Sequence, residues 1–276
     1  MANQTIRGWA VVTGASSGIG QEMALRLGRL GWRLLLCARR TEALERLAAR
    51  IRKERGAAGK EDGRNAEMEG DAEIEILTAD LSLPEGVEAL LSAAGSREIG
   101  LFINCAGFGL AGSFGETSLD RELAMIDVNV RAVHILTKKM MLQMEAQGYG
   151  RILNVASSAG LLPAGPFLAT YYATKAYVAS LTQAVAEELR ERKSPVRVFC
   201  LCPGPVDTEF NEVAQVRFGL PGISAGFCAD CALKGIKGRG VLIVPSLQMK
   251  LVIAGQRLAP RGAVIRLTAR QQKKKL

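Results

Sequence analysis

Residues 9–21 read WAVVTGASSGIGQ, an apolar strand that runs directly into a glycine-rich turn and then into a helix beginning near Gln21. Glycine lets the chain turn sharply and brings backbone N–H groups close to a bound phosphate, while the helix N-terminus supplies positive potential. The spacing is GxxxGxG rather than GxGxxG, and a purely structural turn is the alternative. We predict nucleotide contacts at Gly14, Ser16, Ser17, Gly18, Ile19 and Gly20.

Seven apolar runs with strand character recur along the chain, and helical patterns such as QEMALRLGRL and TEALERLAARIRKER lie between them. The runs lie at 9–13, 33–38, 74–79, 100–104, 151–156, 196–202 and 241–244. Strands that are apolar on both faces and alternate with helices indicate a parallel sheet covered on both sides. The predicted fold class is therefore α/β, a Rossmann-like doubly wound parallel sheet of about seven strands.

A single dinucleotide-binding and catalytic domain is predicted over residues 1–276, since α/β folds of this size often form one unit. The polar, glycine-rich stretch near 56–73 is predicted to be a surface-loop insertion. The segment 210–227 combines glycine, proline and apolar residues with little periodicity, which is typical of a flexible lid over substrate.

The run 152–174 contains no charge and is long enough to raise the question of a membrane span. Gly160, Pro163, Gly165 and Pro166 interrupt it, which favours a buried strand, a loop and the start of a helix. The N-terminus lacks the pattern of a secretory signal, so we expect a cytoplasmic location.

The net charge of +9 is concentrated at one end, because the 46 residues after Asp230 contain eleven Lys or Arg and no acid. Such a segment could face anionic lipid, nucleic acid or an acidic partner. No aromatic residue follows Phe227, so neither base-stacking platforms nor interfacial anchors are available there. We predict no nucleic-acid partner, and membrane contact through the basic C-terminal extension near 246–276 is less favoured than a solvated surface.

Six cysteines are expected to be free thiols, because no export signal accompanies them. Cys228 and Cys231 have CxxC spacing, but neither a second CxxC nor a histidine pair follows. We therefore predict no metal site.

The second predicted strand ends in CARR, which places Arg39 and Arg40 where NAD-selective proteins carry an acid for the ribose hydroxyls. A guanidinium would bind a 2′-phosphate there, whereas a carboxylate would repel it. This favours NADP over NAD as the cofactor. The alternative is that both arginines simply open the next helix on a solvated surface.

These features resemble the classical branch of the short-chain dehydrogenase/reductases over residues 8–208. The glycine turn resembles the family's TGxxxGxG loop, TADLS at 78–82 its adenine-contacting acid, and NCAG at 104–107 its NNAG motif with one cysteine substitution. IDVNV carries the helix asparagine of the catalytic tetrad, and PGPVDT at 203–208 resembles PGxVxT beside the nicotinamide. The resemblance implies cofactor contacts at Asp80, Leu81, Asn104, Ala106, Gly107, Pro203, Gly204, Val206 and Thr208, and a catalytic role for Asn129.

The stretch TYYATKAYV at 170–178 matches the family's YxxxK motif, with Tyr171 and Lys175 as both catalytic and cofactor-contacting residues. Tyr172 falls where the family usually has a small residue. The catalytic serine is ambiguous: counting along the strand gives Ser157, and counting thirteen residues back from Tyr171 gives Ser158. We prefer Ser157, because strand register fixes the direction of a side chain and loops absorb insertions.

The resemblance implies a reaction in which hydride passes between NADPH and carbon while Tyr171 exchanges a proton with oxygen. An ordinary tyrosine has a pKa of about 10, too high for efficient exchange near neutrality. Lys175 lies one helical turn away, so its ammonium is expected to lower the pKa of Tyr171. A serine hydroxyl can hold the substrate oxygen, and the family's asparagine supports a proton-relaying water chain.

Two other functions were weighed against carbonyl–alcohol oxidoreduction. A serine hydrolase would need a histidine base, but the one histidine, His134, lies in a helical segment and no GxSxG motif occurs. A non-catalytic NADPH-binding regulator or scaffold is the remaining alternative. Apolar residues at 161–167 and 210–227 indicate a small hydrophobic ketone or secondary alcohol as substrate, and the resemblance implies a homodimer or homotetramer.

Overall fold

The computed structural model describes residues 8–61, 73–210, 214 and 222–273. Its strands are β1 (Trp9–Thr13), β2 (Arg33–Ala38), β3 (Ile74–Thr78), β4 (Ile99–Asn104), β5 (Gly150–Val155), β6 (Val196–Leu201), β7 (Val206–Asp207), β8 (Ile223–Ser224) and β9 (Leu242–Ile243). Its α-helices are α1 (Gly18–Arg29), α2 (Thr41–Glu61), α3 (Pro84–Gly95), α4 (Leu119–Ile126), α5 (Val133–Gln147), α6 (Ala169–Glu191), α7 (Ala225–Gly235), α8 (Leu247–Gly255) and α9 (Arg261–Lys273). A π-helical segment, Asp127–Ala132, joins α4 to α5.

Seven of the strands form one parallel sheet in the order β3-β2-β1-β4-β5-β6-β9, which confirms the predicted fold class. β7 and β8 pair separately. The chain builds outward from β1 through β2 and β3, then returns past β1 and builds the other side from β4. This reversal leaves a crevice at the carboxyl ends of β1 and β4, where ligands bind in such sheets.

The helices cover both faces of the sheet because side chains alternate along each strand. On β1, Ala10 and Val12 pack with α1, α2 and α7, whereas Val11 packs on the opposite face with α3, α5 and α6. All three side chains are fully buried. Because it packs on both faces, β1 contributes to both hydrophobic layers. Burial of each valine side chain stabilises the fold by about 1.5–3 kcal/mol.

Two predicted loop boundaries were wrong. The insertion near 56–73 was expected to begin at Gly56, but α2 continues to Glu61, because the chain retains helix-forming residues there. Residues 62–72 lie outside the described residues. The predicted lid at 210–227 likewise ends too late, since residues 223–227 already form β8 and the first turn of α7. Most of the remaining lid, 211–213 and 215–221, also lies outside the described residues.

The uncharged run 152–174 contains the end of β5, a 3₁₀ turn (Ser158–Leu161) and the start of α6, as predicted. Within the part of the chain that the structure describes, no helix combines the length and apolar character needed to cross a bilayer.

The basic extension is folded into two helices that pack back onto the loop before α6. Gln256 donates to the carbonyl oxygen of Leu161 across 2.6 Å. In α9, Gln272 donates to the phenol oxygen of Tyr172 across 2.7 Å. The C-terminal segment thereby reaches the carboxyl end of the sheet.

Candidate active site

The glycine turn after β1 is anchored to the chain that follows β4. The buried hydroxyl of Thr13 accepts hydrogen bonds from the backbone N–H groups of Cys105 (2.9 Å) and Ala106 (3.1 Å). Gly14 adopts φ +65°, and a Cβ atom there would lie 2.8 Å from the backbone nitrogen of Ala106. Only glycine fits both the backbone conformation and the close approach, so the two loops form one continuous floor.

The same turn leads into the N-terminus of α1. Gly18 has φ +55° and faces the side chain of Thr208, and a Cβ atom on Gly20 would collide with the carbonyl oxygen of Gly14. No acidic residue occupies the first turn of α1. The helix N-terminus is therefore free of competing side-chain charge, a setting suited to an anion such as a diphosphate.

A cavity of about 670 Å³ opens above this floor. Nearly all of the predicted site residues line it: Gly14, Ser16, Ser17, Gly18, Ile19, Arg39, Arg40, Asp80, Leu81, Ala106, Gly107, Ser157, Ser158, Tyr171, Lys175, Pro203, Gly204, Val206 and Thr208. Residues from one end of the chain to the other thus converge on the crevice at the topological reversal.

Three predicted residues lie beneath the cavity rather than in its wall. Gly20 is buried under the turn. Asn104 is buried and donates to Asn154 (2.8 Å) and Thr137 (3.2 Å), so its amide is committed to the protein interior. Hydrogen bonding inside the core gives Asn104 a supporting position below the NCAG loop.

Asn129, the third of these residues, holds the loop from behind. Its amide donates to the carbonyl oxygen of Phe108 (2.9 Å) and to Thr174 (3.1 Å), and its Oδ1 accepts from the backbone of Phe108 (3.2 Å). A Cβ atom on Gly107 would lie 2.6 Å from that Oδ1. Asn129 lies in the π-helical segment, a local distortion that is frequent at functional sites.

The two arginines after β2 have different partners. Arg40 pairs with Glu209 across 2.8 Å and donates to the hydroxyl of Ser16 across 3.3 Å. Arg39 is 68% exposed and lies 4.0 Å from Asp80, whose carboxylate already accepts two hydrogen bonds from Ser82. Arg39 therefore has the more available guanidinium at the cavity rim.

Tyr171 is partly buried against apolar side chains, and the hydroxyl of Ser157 is close enough to influence its pKa. Burial raises the pKa of Tyr171 to about 12, because the low-dielectric surroundings disfavour phenolate, while the hydrogen bond from Ser157 acts to lower it. Ser157, and not Ser158, acts on the pKa of Tyr171, and its role as the catalytic serine stays a prediction. The backbone N–H of Ser158 instead donates to the carbonyl oxygen of Pro203 across 2.7 Å.

Lys175 is also buried, and its ammonium donates to the carbonyl oxygen of Val155 across 2.9 Å. Its Nζ lies 5.9 Å from the centre of the Tyr171 ring. Burial lowers the pKa of Lys175 to about 8. The expectation that Lys175 lowers the pKa of Tyr171 is wrong in this structure, because desolvation raises that pKa and the lowering influence comes from Ser157, not from Lys175.

Sequence reasoning missed the contribution of the C-terminal helices. Tyr172, Met249, Thr268 and Gln272 all line the cavity. Gln272 is separated from Tyr172 by 100 positions, and no motif marks either α8 or α9. The doubled tyrosine, with its second ring at a position where the family prefers a small residue, was the one available signal.

The other residues singled out in the sequence lie elsewhere. His134 is exposed and its Nδ1 lies 2.7 Å from the hydroxyl of Tyr177. All six cysteines are free, and among the described residues no cluster of three or more His, Cys, Asp or Glu could hold a metal ion.

The strand order, the glycine turn at the point of reversal and the cavity above it define a dinucleotide-binding protein of the Rossmann type. The family model described as short chain dehydrogenase matches residues 8–216. The chain belongs to the short-chain dehydrogenase/reductase family of oxidoreductases.

Three similar proteins illustrate the range of the family. A very-long-chain 3-oxoacyl-CoA reductase of Laccaria bicolor is 33% identical over 66% of this chain, and this chain spans about half (51%) of that relative. The structure of a short-chain dehydrogenase from Sphingobium yanoikuyae in complex with NADPH is 30% identical, with a TM-score of 0.77 over 92% of this chain and 94% of that one. The structure of a Burkholderia phymatum short-chain dehydrogenase/reductase in complex with NAD is 27% identical, with a TM-score of 0.75 over 90% of this chain and 92% of that one.

Proposed function

We propose that this protein is an NADP(H)-dependent oxidoreductase that interconverts a carbonyl and an alcohol on a hydrophobic substrate. The observation that carries the proposal is the meeting of Ser157, Tyr171 and Lys175 in the wall of the cavity that opens over the glycine turn. A partly buried phenol beside a hydroxyl donor suits proton exchange with a carbonyl oxygen.

In the proposed reduction, Tyr171 is the acid and Ser157 the hydrogen-bond donor for the same substrate oxygen. A pKa of about 12 keeps the phenol protonated at neutral pH, so it holds a proton for the nascent alkoxide, and the hydroxyl of Ser157 offsets part of the phenol's resistance to losing that proton. A bound nicotinamide cofactor supplies or accepts the hydride. In oxidation the same group, as phenolate, accepts the proton of the alcohol, and the supply of reduced or oxidised cofactor sets the direction.

Lys175 and Asn129 are proposed to support this exchange from opposite sides. With a pKa of about 8, Lys175 is mostly an ammonium at neutral pH and can return a proton towards Tyr171. Asn129 fixes the loop at Gly107 and the start of α6 through Phe108 and Thr174. Both residues therefore act on the position or protonation of the phenol.

NADP is the proposed cofactor because two guanidinium groups flank the end of β2. Arg39 is exposed at the rim and Arg40 already binds the hydroxyl of Ser16 in the glycine turn. We expect Arg39→Asp to reduce the ratio of kcat/KM with NADPH to that with NADH by about 10–100-fold, since a hydrogen bond to a charged group contributes about 1.5–3 kcal/mol. Initial rates with both cofactors and one reactive ketone give this ratio.

Arg46→Asp is the matched control for the cofactor experiment. Arg46 is an exposed residue of α2 whose nearest acid is Glu42, and it does not line the cavity. The same change of charge there should leave the ratio unaltered. Equal use of NADPH and NADH by the unaltered protein would contradict the NADP assignment.

A panel of ketones and secondary alcohols, assayed with NADPH and NADH in parallel, tests the proposed activity itself. The apolar side chains Leu162, Leu168, Phe210 and Met249 line the cavity and support a hydrophobic substrate. Cofactor binding without turnover of any panel member would favour the alternative of a non-catalytic NADPH-binding regulator or scaffold.

We also infer a homodimer or homotetramer. Leu119 and Leu123 of α4 and Leu142 of α5 are large apolar side chains exposed to solvent, and neighbouring helices of one subunit can bury them against another copy. Sedimentation velocity that returns only a monomer would contradict this inference.

A further inference from the structure

The far wall of the cavity contains a polar pair that the proposed proton exchange does not use. Gln272 of α9 is 5% exposed, and its Nε2 donates to the hydroxyl of Tyr172 across 2.7 Å. Its Oε1 is buried and has no hydrogen-bond partner among the described residues. A buried acceptor without a donor is uncommon in folded proteins, so this oxygen requires an explanation.

Packing holds this pair in a defined place. The ring of Tyr172 lies against Gly165 so closely that a Cβ atom at Gly165 would overlap it. Thr268, one turn before Gln272 on α9, also lines the cavity and bonds back to its own helix at Val264. Gln272 therefore presents a fixed amide rather than a mobile surface group.

The polar pair adjoins the proposed acid but is separate from it. The rings of Tyr171 and Tyr172 have centroids 6.4 Å apart in an edge-to-face arrangement. Leu162 and Leu168 line the same cavity and are partly or fully buried. The cavity thus offers a ligand held at Tyr171 both apolar side chains and the amide of Gln272.

We propose that Gln272, held by Tyr172, is a substrate subsite that accepts a hydrogen bond from a hydroxyl group remote from the reacting carbonyl. The proposal rests on the proposed carbonyl–alcohol activity and specifies its substrate class, an apolar ketone with a second, distal hydroxyl. A site that satisfies a buried polar group discriminates strongly against the analogue that lacks the matching group.

The test compares two bicyclic ketones that differ only in a hydroxyl on the ring remote from the carbonyl. We expect the hydroxylated ketone to have a kcat/KM about 10-fold or more above that of the other, because one hydrogen bond to a buried group separates them. Gln272→Leu should bring the ratio close to one, and Tyr172→Phe should reduce it. Gln248→Leu, an exposed glutamine on α8, should leave the ratio unchanged.

Calorimetric titration of both ketones into the protein with NADP⁺ separates this proposal from the proposed activity. Tighter binding of the hydroxylated ketone that Gln272→Leu abolishes supports the subsite even if neither ketone is reduced, in which case the proposed activity fails alone. Turnover and binding without any preference for the hydroxyl would overturn the subsite and leave the activity intact. Equal melting temperatures of the variants exclude a loss of α9 docking.

A second inference comes from the opposite face of the C-terminal helices. In α8, Met249 packs against Gly204 at the cavity, whereas Leu247 and Leu251 are 71% and 67% exposed. Residues four apart share one face of a helix, so these two leucines point away from the protein together. Leu258, after the helix, is 92% exposed.

The two C-terminal helices and the turn between them also carry exposed basic side chains. Exposed lysine and arginine residues on and between the two helices include Lys250, Arg257, Arg261, Arg266 and Arg270. No acid occurs after Asp230. Solvent-facing leucines can enter the interface of a membrane, and a positive charge unbroken by acids attracts anionic lipid.

We propose that the surface formed by Leu247, Leu251, Leu258 and these five cations docks on a bilayer that contains anionic lipid. A second copy of this chain is a poorer occupant, because a twofold contact would bring the same positive patches together. Docking here would bring the cavity rim at Met249 close to the lipid, from which apolar substrate could enter.

Flotation with lipid vesicles tests this surface. We expect the protein to float with vesicles of phosphatidylcholine and phosphatidylserine, and to be released by high salt because the attraction is screened. Phosphatidylcholine alone should not carry it. Leu251→Glu combined with Leu258→Glu should abolish flotation, while Leu30→Glu, at the exposed C-terminal end of α1, should not. Failure to float, or flotation unaffected by the double substitution, would overturn the proposal.

Discussion

Tyr171→Phe is expected to reduce kcat/KM for ketone reduction by about 10²–10⁴-fold, the usual contribution of a general acid. The substitution removes one oxygen and leaves the ring, which packs against Phe210 with centroids 5.4 Å apart. Cofactor affinity should remain within about twofold, since the ring and the glycine turn are unchanged.

Tyr177→Phe provides the matched control. Tyr177 lies two turns further along α6, and its hydroxyl contacts the exposed ring of His134 outside the cavity. The Tyr177→Phe variant should retain full activity. Steady-state rates give kcat/KM, and fluorescence titration with NADPH gives the affinity. Unimpaired reduction by the Tyr171 variant would remove that residue from the mechanism.

The sequence contained enough local information to predict the fold. The run WAVVT at β1 is buried on both faces, and a strand with this pattern has few places other than the centre of a parallel sheet. The glycine turn was equally local, because the positive φ of Gly14 and Gly18 is tolerated best by glycine. The resemblance to the family's motifs, rather than such local signals alone, led to the other predicted residues that line the cavity.

Features that depend on distant contacts could not be predicted. Asn104 belongs to a familiar motif, but its partners Thr137 and Asn154 on neighbouring elements turn its amide into the core. The pKa of Tyr171 depends on burial, which a four-residue spacing to Lys175 does not reveal. Gln272 reaches the cavity only because α9 folds back across it.

Gly14→Ala is expected to weaken NADPH binding by about 10–100-fold, which corresponds to about 1.4–2.8 kcal/mol. A Cβ atom there would lie 2.8 Å from the nitrogen and 2.9 Å from the Cα of Ala106. Backbone atoms cannot move aside as a flexible side chain can, so the turn and the NCAG loop must separate. Their shared anchor, the hydroxyl of Thr13, would then lose its hydrogen bonds to Cys105 and Ala106.

Gly31→Ala separates this effect from simple backbone strain. Gly31 has φ +81°, so alanine there is in the left-handed region, as it would be at Gly14 with φ +65°. Unlike at Gly14, no atom beyond the neighbouring residues lies within 4 Å of the Cβ position at Gly31. We expect it to lose about 1–2 kcal/mol of folding stability and no cofactor affinity. Thermal unfolding without cofactor and NADPH titration give the two quantities. A comparable loss of affinity in both variants would show that strain, rather than contact with Ala106, explains the effect. An affinity loss confined to Gly14→Ala would mean that this glycine serves the cofactor site because two loops must touch there.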